Sequence, residues 1–386
     1  MSFSQVDIGN VVEKISTWNP LQSNLEEVFT YIDLSSIDKD KKTIDCSVVP
    51  CVNTKDAPSR ARQLVKKSDI LISTVRPNLN GVAIVPSHLN GATASTGYCV
   101  LRAKQAELVP LYLFYWVQTK TFICDMVSKA TGANYPAVSD KTIKQSKIPL
   151  PLLKVQKKIA DILDAAGSLR QKDLQLVEHY NRLSQSLFLD MFGEHYTHLT
   201  PLKNLVTFSQ GQQFPVEEQY TEPREGYARF LRIVDYTQKD DFRYVPNGND
   251  NDRYHVGIDD IVIVRYGASA GFVGKNKKGV LANNLFKVNF DKAKFNHTFM
   301  FYMFLQNPFK QFVKKEAFGA AMPALSFKVM EKFEIPTPPL LLQEKFAQLI
   351  QSIDTQKKLA QQNLQKSDDL FNSLLQKAFK GELTAS

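Results

Sequence analysis

A search of the 386-residue chain for side chains spaced to do chemistry finds few, and each set fails the pattern it suggests. His195 and His198 in "EHYTH" have an HxxH spacing that could supply two metal ligands, but no further ligand spacing accompanies them. Gly267, Gly271 and Gly274 in "YGASAGFVGK" could cradle a phosphate, yet they form neither GxGxxG nor GxxxxGK[ST] and follow a strand without opening a helix. They read as a tight turn. The "NPL" at Asn19 and "NPF" at Asn307 lack the second proline of an amino-methyltransferase's NPP[FY] segment, and no cofactor-binding glycine motif stands with them. Four cysteines, Cys46, Cys51, Cys99 and Cys124, form no CxxC pair and read as reduced, partly buried thiols.

What remains is suited to holding nucleic acid. An apolar strand leads to a turn carrying Arg76, Asn78 and Asn80, and a similar strand leads to Arg265, Tyr266 and Ser269, with Lys275 beyond. Arginine matches the O6/N7 edge of guanine and asparagine the edge of adenine, although ordinary turns use the same residue types. Two loops, "TGANYPAVSDK" and "FGAAMPALSFK", combine a glycine that permits close backbone approach (Gly132, Gly319) with a Ser and a Lys (Lys141, Lys328) able to meet phosphate. Their tips differ: Asn134 and Tyr135 in one become Ala321 and Met322 in the other.

These loops belong to a duplication. Between Ala130 and Ile159, thirteen of thirty positions are identical to those 187 residues later, without a gap. The register extends upstream to the aromatic stretches "LYLFYWVQT" and "TFMFYMFLQ", and downstream to Leu183, Ser186, Leu187 and Phe192, which match Leu370, Ser373, Leu374 and Phe379. Further upstream it drifts by several residues, while "SDILISTVRPNLNGVAIV" and "DDIVIVRYGASAGFVGKN" stay alike in kind, each an apolar strand, an Arg-bearing turn, a Gly and a second strand. Each copy therefore holds an α+β globular domain, residues 1–147 and 199–334, with β-rich runs such as Ile70 to Val75 and Gly279 to Asn289. A Pro-rich break, "IPLPLL" or "IPTPPLLL", then opens a long helix within residues 148–198 or 335–386.

In the first long helix, apolar residues at Leu152, Val155, Ile159, Ile162, Ala166, Leu169, Leu176, Tyr180, Leu183 and Leu187 alternate by three and four, as in a coiled-coil seam. Gly167 is a weak point. The second presents Leu342, Phe346, Leu349, Ile353, Ala360, Leu364, Phe371 and Leu374. Two such stripes in one chain should cover each other. Antiparallel packing keeps the two globular domains apart and gives a pseudo-twofold repeat, on helices of about 60 Å at ~1.5 Å per residue.

A loop of the pattern "G…PAxS…K", PAVS in the first copy and PALS in the second, followed by an IPxPxLxxQxK junction and a long helix, occurs twice. The junction is carried by Ile148, Pro149, Pro151, Leu153, Gln156 and Lys158, and again by Ile335, Pro336, Pro338, Leu340, Gln343 and Lys345. Over essentially its whole length the chain resembles the specificity subunits of type I restriction-modification enzymes. The resemblance implies two target-recognition domains, each reading half of a bipartite asymmetric site in double-stranded DNA, separated by two antiparallel coiled-coil helices. Those helices would act as a ruler and dock two methyltransferase subunits. It further implies that S-adenosylmethionine and adenine flipping belong to the methyltransferase subunits, and ATP and Mg to restriction subunits that translocate and cut DNA. This chain would then be catalytically silent, needing no cofactor of its own. The short tail "KGELTAS" and the start directly at the first domain fit a nearly circular layout.

A net charge of +9 suits a polyanionic partner, and 43% hydrophobic content allows two or three real cores. With no basic head and apolar run at the N-terminus, and no apolar stretch longer than Val109 to Val117, the expected compartment is the cytoplasm. Two other readings fit less of this pattern: a duplicated coiled-coil adaptor binding only proteins, and a DNA methyltransferase with its own recognition domain.

Overall fold

The computed structural model describes residues 3–23, 26–247, 253–317 and 323–383. The chain divides into two compact units, Met1–Gln175 with Ala360–Ser386, and Leu176–Leu359. Both boundaries fall inside the long helices Leu153–Phe192 and Leu340–Ala378. Each unit therefore contains one globular domain, the first half of the helix that follows it and the last half of the other.

Both globular domains use the same two four-stranded sheets in the same order. The first sheet is antiparallel: Val12–Glu13, Tyr98–Ala103, Ile70–Ser73 and Val82–Ile84 in one unit, Val206–Gln210, Leu285–Phe290, Ile261–Val264 and Val273–Gly274 in the other. The second sheet is mixed: Cys51–Asn53, Val28–Ile32, Thr93–Ser95 and Ala61–Leu64, against Tyr244–Pro246, Tyr227–Leu231, Gly279–Leu281 and His255–Val256. Its one parallel pair recurs, Thr93 beside Tyr31 and Phe230 beside Val280. The apparent run from Gly279 to Asn289 is thus two strands in two different sheets, broken at Ala282 to Asn284.

The short strands Ile70–Ser73 and Ile261–Val264 are almost wholly apolar because both of their faces are covered. Alternate side chains point to opposite faces. Ile70 and Ile72 join a core with the aromatic helix Pro110–Trp116, while Leu71 joins a second core under the mixed sheet. Ile261 and Ile263 divide from Val262 and Val264 in the same way.

Each domain closes where it meets its long helix. Gln5–Asp7 pairs antiparallel with Lys147–Pro149, and Leu199–Pro201 with Glu334–Pro336, so that Ile148 and Ile335 are fully buried. One turn into each helix sits a fully buried glutamine. Gln156 accepts from the Val109 N–H at 2.9 Å and donates to the carbonyls of Glu107 (2.9 Å) and Pro151 (2.8 Å). Gln343 accepts from the Asn296 N–H at 2.9 Å and donates to Lys294 (3.1 Å) and Pro338 (2.8 Å). Every partner is displaced by the same 187 residues. The amide ties the Pro-rich turn to the segment that starts the aromatic helix, in both copies.

Within the first unit the two half-helices run antiparallel. Arg170 pairs with Asp368 while a Cβ at Gly167 would lie 3.6 Å from Phe371, so rising numbers on one helix meet falling numbers on the other. Phe379 packs on Tyr112 (5.0 Å between ring centroids) and Trp116 (5.1 Å). In the second unit, its repeat counterpart Phe192 packs on Phe299 (4.8 Å) and Phe346 (5.2 Å).

The buried stripe follows the heptad seam that spacing suggests only in part. Ile159, Ala160, Leu163 and Ala166 are buried, whereas Leu152 is 80% and Leu169 47% exposed, and Leu176, Leu183 and Leu349 also face outward. The helices bury their apolar faces largely against globular domains. A straight helix drifts about 20° per heptad from a 3.5-residue repeat, so a seam read from sequence leaves the contact face.

The glutamine and the exposed leucine give opposite expectations. Gln156→Ala strands one buried N–H and two carbonyls and should lower stability by about 3 kcal/mol. Leu152→Ala, at a seam position that is open, should change it by less than about 0.5 kcal/mol. Urea denaturation of both variants checks the pair.

Candidate nucleic-acid interface

Past Ser73 the first domain's strand continues through Thr74 and Val75 to Arg76. The Val138 N–H donates to the Thr74 carbonyl (2.9 Å), the Arg76 N–H donates to the Pro136 carbonyl (2.7 Å), and Val75 bridges Ala137. The loop beyond is closed on itself by paired hydrogen bonds between Thr131 and Ala137, both 2.9 Å. Gly132 there has φ +103°, and a Cβ would meet the Tyr135 carbonyl oxygen at 3.0 Å, so the loop needs glycine. The turn after the strand and the glycine loop thus form one surface.

At its tip the Arg76 guanidinium lies 4.9 Å from the centroid of the Tyr135 ring, and Tyr135 is 69% exposed. Such an exposed cation–π pair contributes about 0.5–1 kcal/mol, enough to orient the guanidinium without removing its donors from solvent. Arg76 and Asn80 are both left-handed, with φ +51° and +45°. That conformation costs a non-glycine residue roughly 1–2 kcal/mol, less for asparagine, and strain of this kind concentrates where a side chain must be presented. Asn78 and Asn134 are exposed on the same turn and loop. Asn80 is committed inward: its amide donates to the Val117 carbonyl at 2.9 Å, and its own carbonyl accepts from Lys42 Nζ at 2.6 Å.

The second domain repeats the backbone and changes the side chains. The Gly267 N–H donates to the Pro323 carbonyl (3.0 Å), the Leu325 N–H donates to the Arg265 carbonyl (2.9 Å), and Tyr266 bridges Ala324. Matching these bonds equates Thr74 with Arg265, Val75 with Tyr266 and Arg76 with Gly267, an offset of 191. The two turn arginines are therefore not equivalent positions, although a sequence reading places them in like turns. The left-handed site is kept, as Gly267 with φ +81°. Arg265 is half-buried, stacked 4.8 Å from Tyr266 and 5.5 Å from Phe327, and its Nε is buried without a partner, as is Asn284 Oδ1 on the residue whose carbonyl accepts the Arg265 N–H.

The remaining candidates separate. The Ser269 carbonyl accepts from the Phe272 N–H within the turn. Lys141 and Lys328 are exposed in the first turns of the short helices Asp140–Lys144 and Phe327–Met330. The serines before them are N-caps, Ser139 accepting from Thr142 N–H at 3.1 Å and Ser326 from Val329 N–H at 3.2 Å. Lys275 is not with the turn: its ammonium lies 4.4 Å over Phe301, where burial lowers its pKa against the opposing pull of Asp354. Gly319, with Ala321 and Met322, lies outside the described residues. His198 shares a 3.0 Å contact with Thr197, and among the described residues no cluster of three His, Cys, Asp or Glu could hold a metal. The four thiols are free, and only Cys99 is buried.

Two features escape sequence reading. Lys42 reaches the Asn80 turn from 38 residues away. In the second domain, Asp235 is buried, accepts from Arg232 N–H at 2.8 Å and faces Arg229, while Asp240 and Asp241 pair with Arg229, Lys277, Arg232 and Arg243. The alternating charges of "RFLRIVDYTQKDDFR" were the available signal for that network.

Burial, against the favourable pull of Asp40, lowers the Lys42 pKa from 10.5 to about 8. Between those values the unfolded chain still binds a proton that the folded chain has lost, so stability rises with pH there. The unfolding free energy of wild type minus that of Lys42→Met should therefore climb from pH 8 to 10.5; a flat difference would contradict the burial effect.

Comparison with known proteins follows the same duplication. A family model for the type I restriction modification DNA specificity domain matches residues 8–179 and again 202–366. The chain is 25% identical over 292 residues to the type I restriction enzyme MjaVIII specificity subunit of Methanocaldococcus jannaschii, covering 66% of this chain and 65% of the relative. It is also 25% identical over 142 residues to the HindI specificity subunit of Haemophilus influenzae, 36% of this chain and 31% of the relative. The chain thus spans less than two thirds of either relative. In fold it resembles the S subunit of a type I restriction-modification system from M. genitalium, with TM-score 0.58 at 16% identity over 98% of this chain and 96% of that one.

Proposed function

Since the chain belongs to the type I restriction modification DNA specificity family, we propose that each of its globular domains reads one half of a bipartite site in double-stranded DNA. The observation that carries this is the repeated turn-and-loop surface, whose backbone bonds are equivalent in both domains while its side chains differ. In the first domain Arg76 and Tyr135 form the exposed tip, with Asn78 and Asn134 beside them. In the second, Gly267 opens the corresponding place and Arg265 stacks behind it. One frame with two tips suits two different half-sites.

The chain itself supplies recognition. What the duplication preserves is Gly, Pro, Ser, Lys, Gln and apolar residues, a frame in place of acid–base groups. Two methyltransferase subunits would bring S-adenosylmethionine and act on the target adenines, and restriction subunits would bring ATP and Mg. Exposed leucines on the long helices, among them Leu169, Leu183, Leu359 and Leu370, offer apolar surface for such subunits.

The test is methylation mapping in a cell that expresses this chain with its methyltransferase subunit. The expected pattern is two short specific blocks separated by a constant unread gap. Arg76→Ala should relax one block only, by about 1–3 kcal/mol of discrimination if it contacts a base; methylation without a bipartite site would contradict the reading.

Each long helix is continuous across the boundary of the compact units, which supports a role in setting that gap. Inserting four residues, about one helical turn, at matched positions of both helices should lengthen the gap and leave both blocks intact. An unchanged gap would mean that the helices do not set it.

A further inference from the structure

Beside the second domain's turn lies a groove of about 650 Å³ that no sequence pattern marks, between Ala268 to Val273 and the helix Asn307–Ala317. Ser269 and Phe272 line one side and Lys310 and Lys314 the other. Phe272 is 41% exposed, and both lysines are exposed and form no ion pair among the described residues. The lysines are one helical turn apart on one face, with Cβ atoms about 6 Å from each other.

The groove is built into the fold. Gly271 has φ +83°, and a Cβ there would fall 2.5 Å from Val313 Cγ1, so the turn backbone rests directly on the helix. The turn's own N–H groups are occupied: Ala270 donates to Gly267, Gly271 to Val264 and Phe272 to Ser269. The cationic side chains are what remain to meet a ligand.

The first domain carries no lysine at the corresponding helix positions. The corresponding helix, Lys120–Ser128, keeps the buried positions, with Phe122 and Met126 where the second has Phe309 and Val313. At the positions of Lys310, Lys314 and Lys315 it carries Ile123, Val127 and Ser128. Core residues have thus been retained while charge has been placed on one exposed face of one copy only.

We propose that Lys310 and Lys314 bind the DNA phosphate backbone next to the second half-site, so that the second domain holds its half-site with a sequence-independent electrostatic clamp absent from the first. This rests on the DNA-reading role proposed above. Lysine suits the task as a flexible point charge without the fork geometry that reads a base edge, and the groove is continuous with the turn bearing Arg265 and Ser269.

The experiment uses the full chain bound to its methyltransferase subunit, with one duplex carrying the mapped site and one scrambled duplex, titrated over a range of KCl. A Lys310→Gln, Lys314→Gln double variant should weaken binding to both duplexes by similar factors. It should also reduce the slope of log K against log salt by about 1.8, or ~0.9 for each phosphate that is no longer neutralised. Lys310→Arg with Lys314→Arg should restore the slope, and the methylated sequence should not change.

A wild-type complex that protects its site while the double Gln variant keeps the wild-type slope overturns the clamp alone. Relaxed specificity in one half-site without a change of slope assigns the lysines to base reading and overturns it too. Failure of the methyltransferase to co-purify, with an unchanged slope, makes the groove a protein-binding surface, which is likewise contrary. A wild-type complex that protects no sequence overturns the DNA-reading role and the clamp together.

Discussion

A buried glutamine at the start of each long helix is the constraint on which the rest of the molecule depends. Gln156 and Gln343 are sealed from water, so each side chain must find its partners inside the protein, and each finds three on the backbone. Those partners lie in the Pro-rich turn just before the helix and in the segment that starts the aromatic helix 47 residues away. Satisfying the amide fixes the direction in which the long helix leaves its domain. The small antiparallel ribbons through Ile148 and Ile335 close the same corner with backbone bonds.

From that corner the aromatic helices become sockets. Phe379 enters the one built by Tyr112 and Trp116, while Phe192 packs between Phe299 of the other aromatic helix and Phe346 of the long helix Leu340–Ala378. The heptad-like stripe is buried in part, at Ile159, Ala166, Phe346 and Ala360, and it leaves several leucines outward.

Duplication has acted differently on three layers. The buried layer keeps identities or volumes, as with Phe122 and Phe309 or Ile148 and Ile335. The hydrogen bonds that join turn to loop are kept, and a left-handed residue stands at both Arg76 and Gly267 although the residues differ. The exposed layer is free to diverge: Tyr135 stacks under Arg76 in one copy, and Lys310 and Lys314 stand by the turn only in the other. Recognition can change in this outer layer without disturbing the two beneath it.

Much of the architecture was legible in the residues. The repeat, the α+β domains and the Pro-broken helix starts come from local pattern, because proline geometry and apolar periodicity act between near neighbours; Gln156 and Gln343 stood out only as repeated identities, since partners 47 residues away give them their role. The turn residues were legible as types but not as places. Ser139 and Ser326 read as phosphate ligands and serve as helix caps, Lys275 read with the turn and packs on Phe301, and Arg265 read as the twin of Arg76 although Gly267 occupies that position. Each of those outcomes depends on how segments distant in sequence meet or on a hydrogen bond that residue type does not reveal. Sequence alone determined that this chain is built twice on one frame of the DNA specificity family; only tertiary packing decided which side chains of that frame reach solvent, because burial and long-range pairing belong to the folded surface and to no single segment.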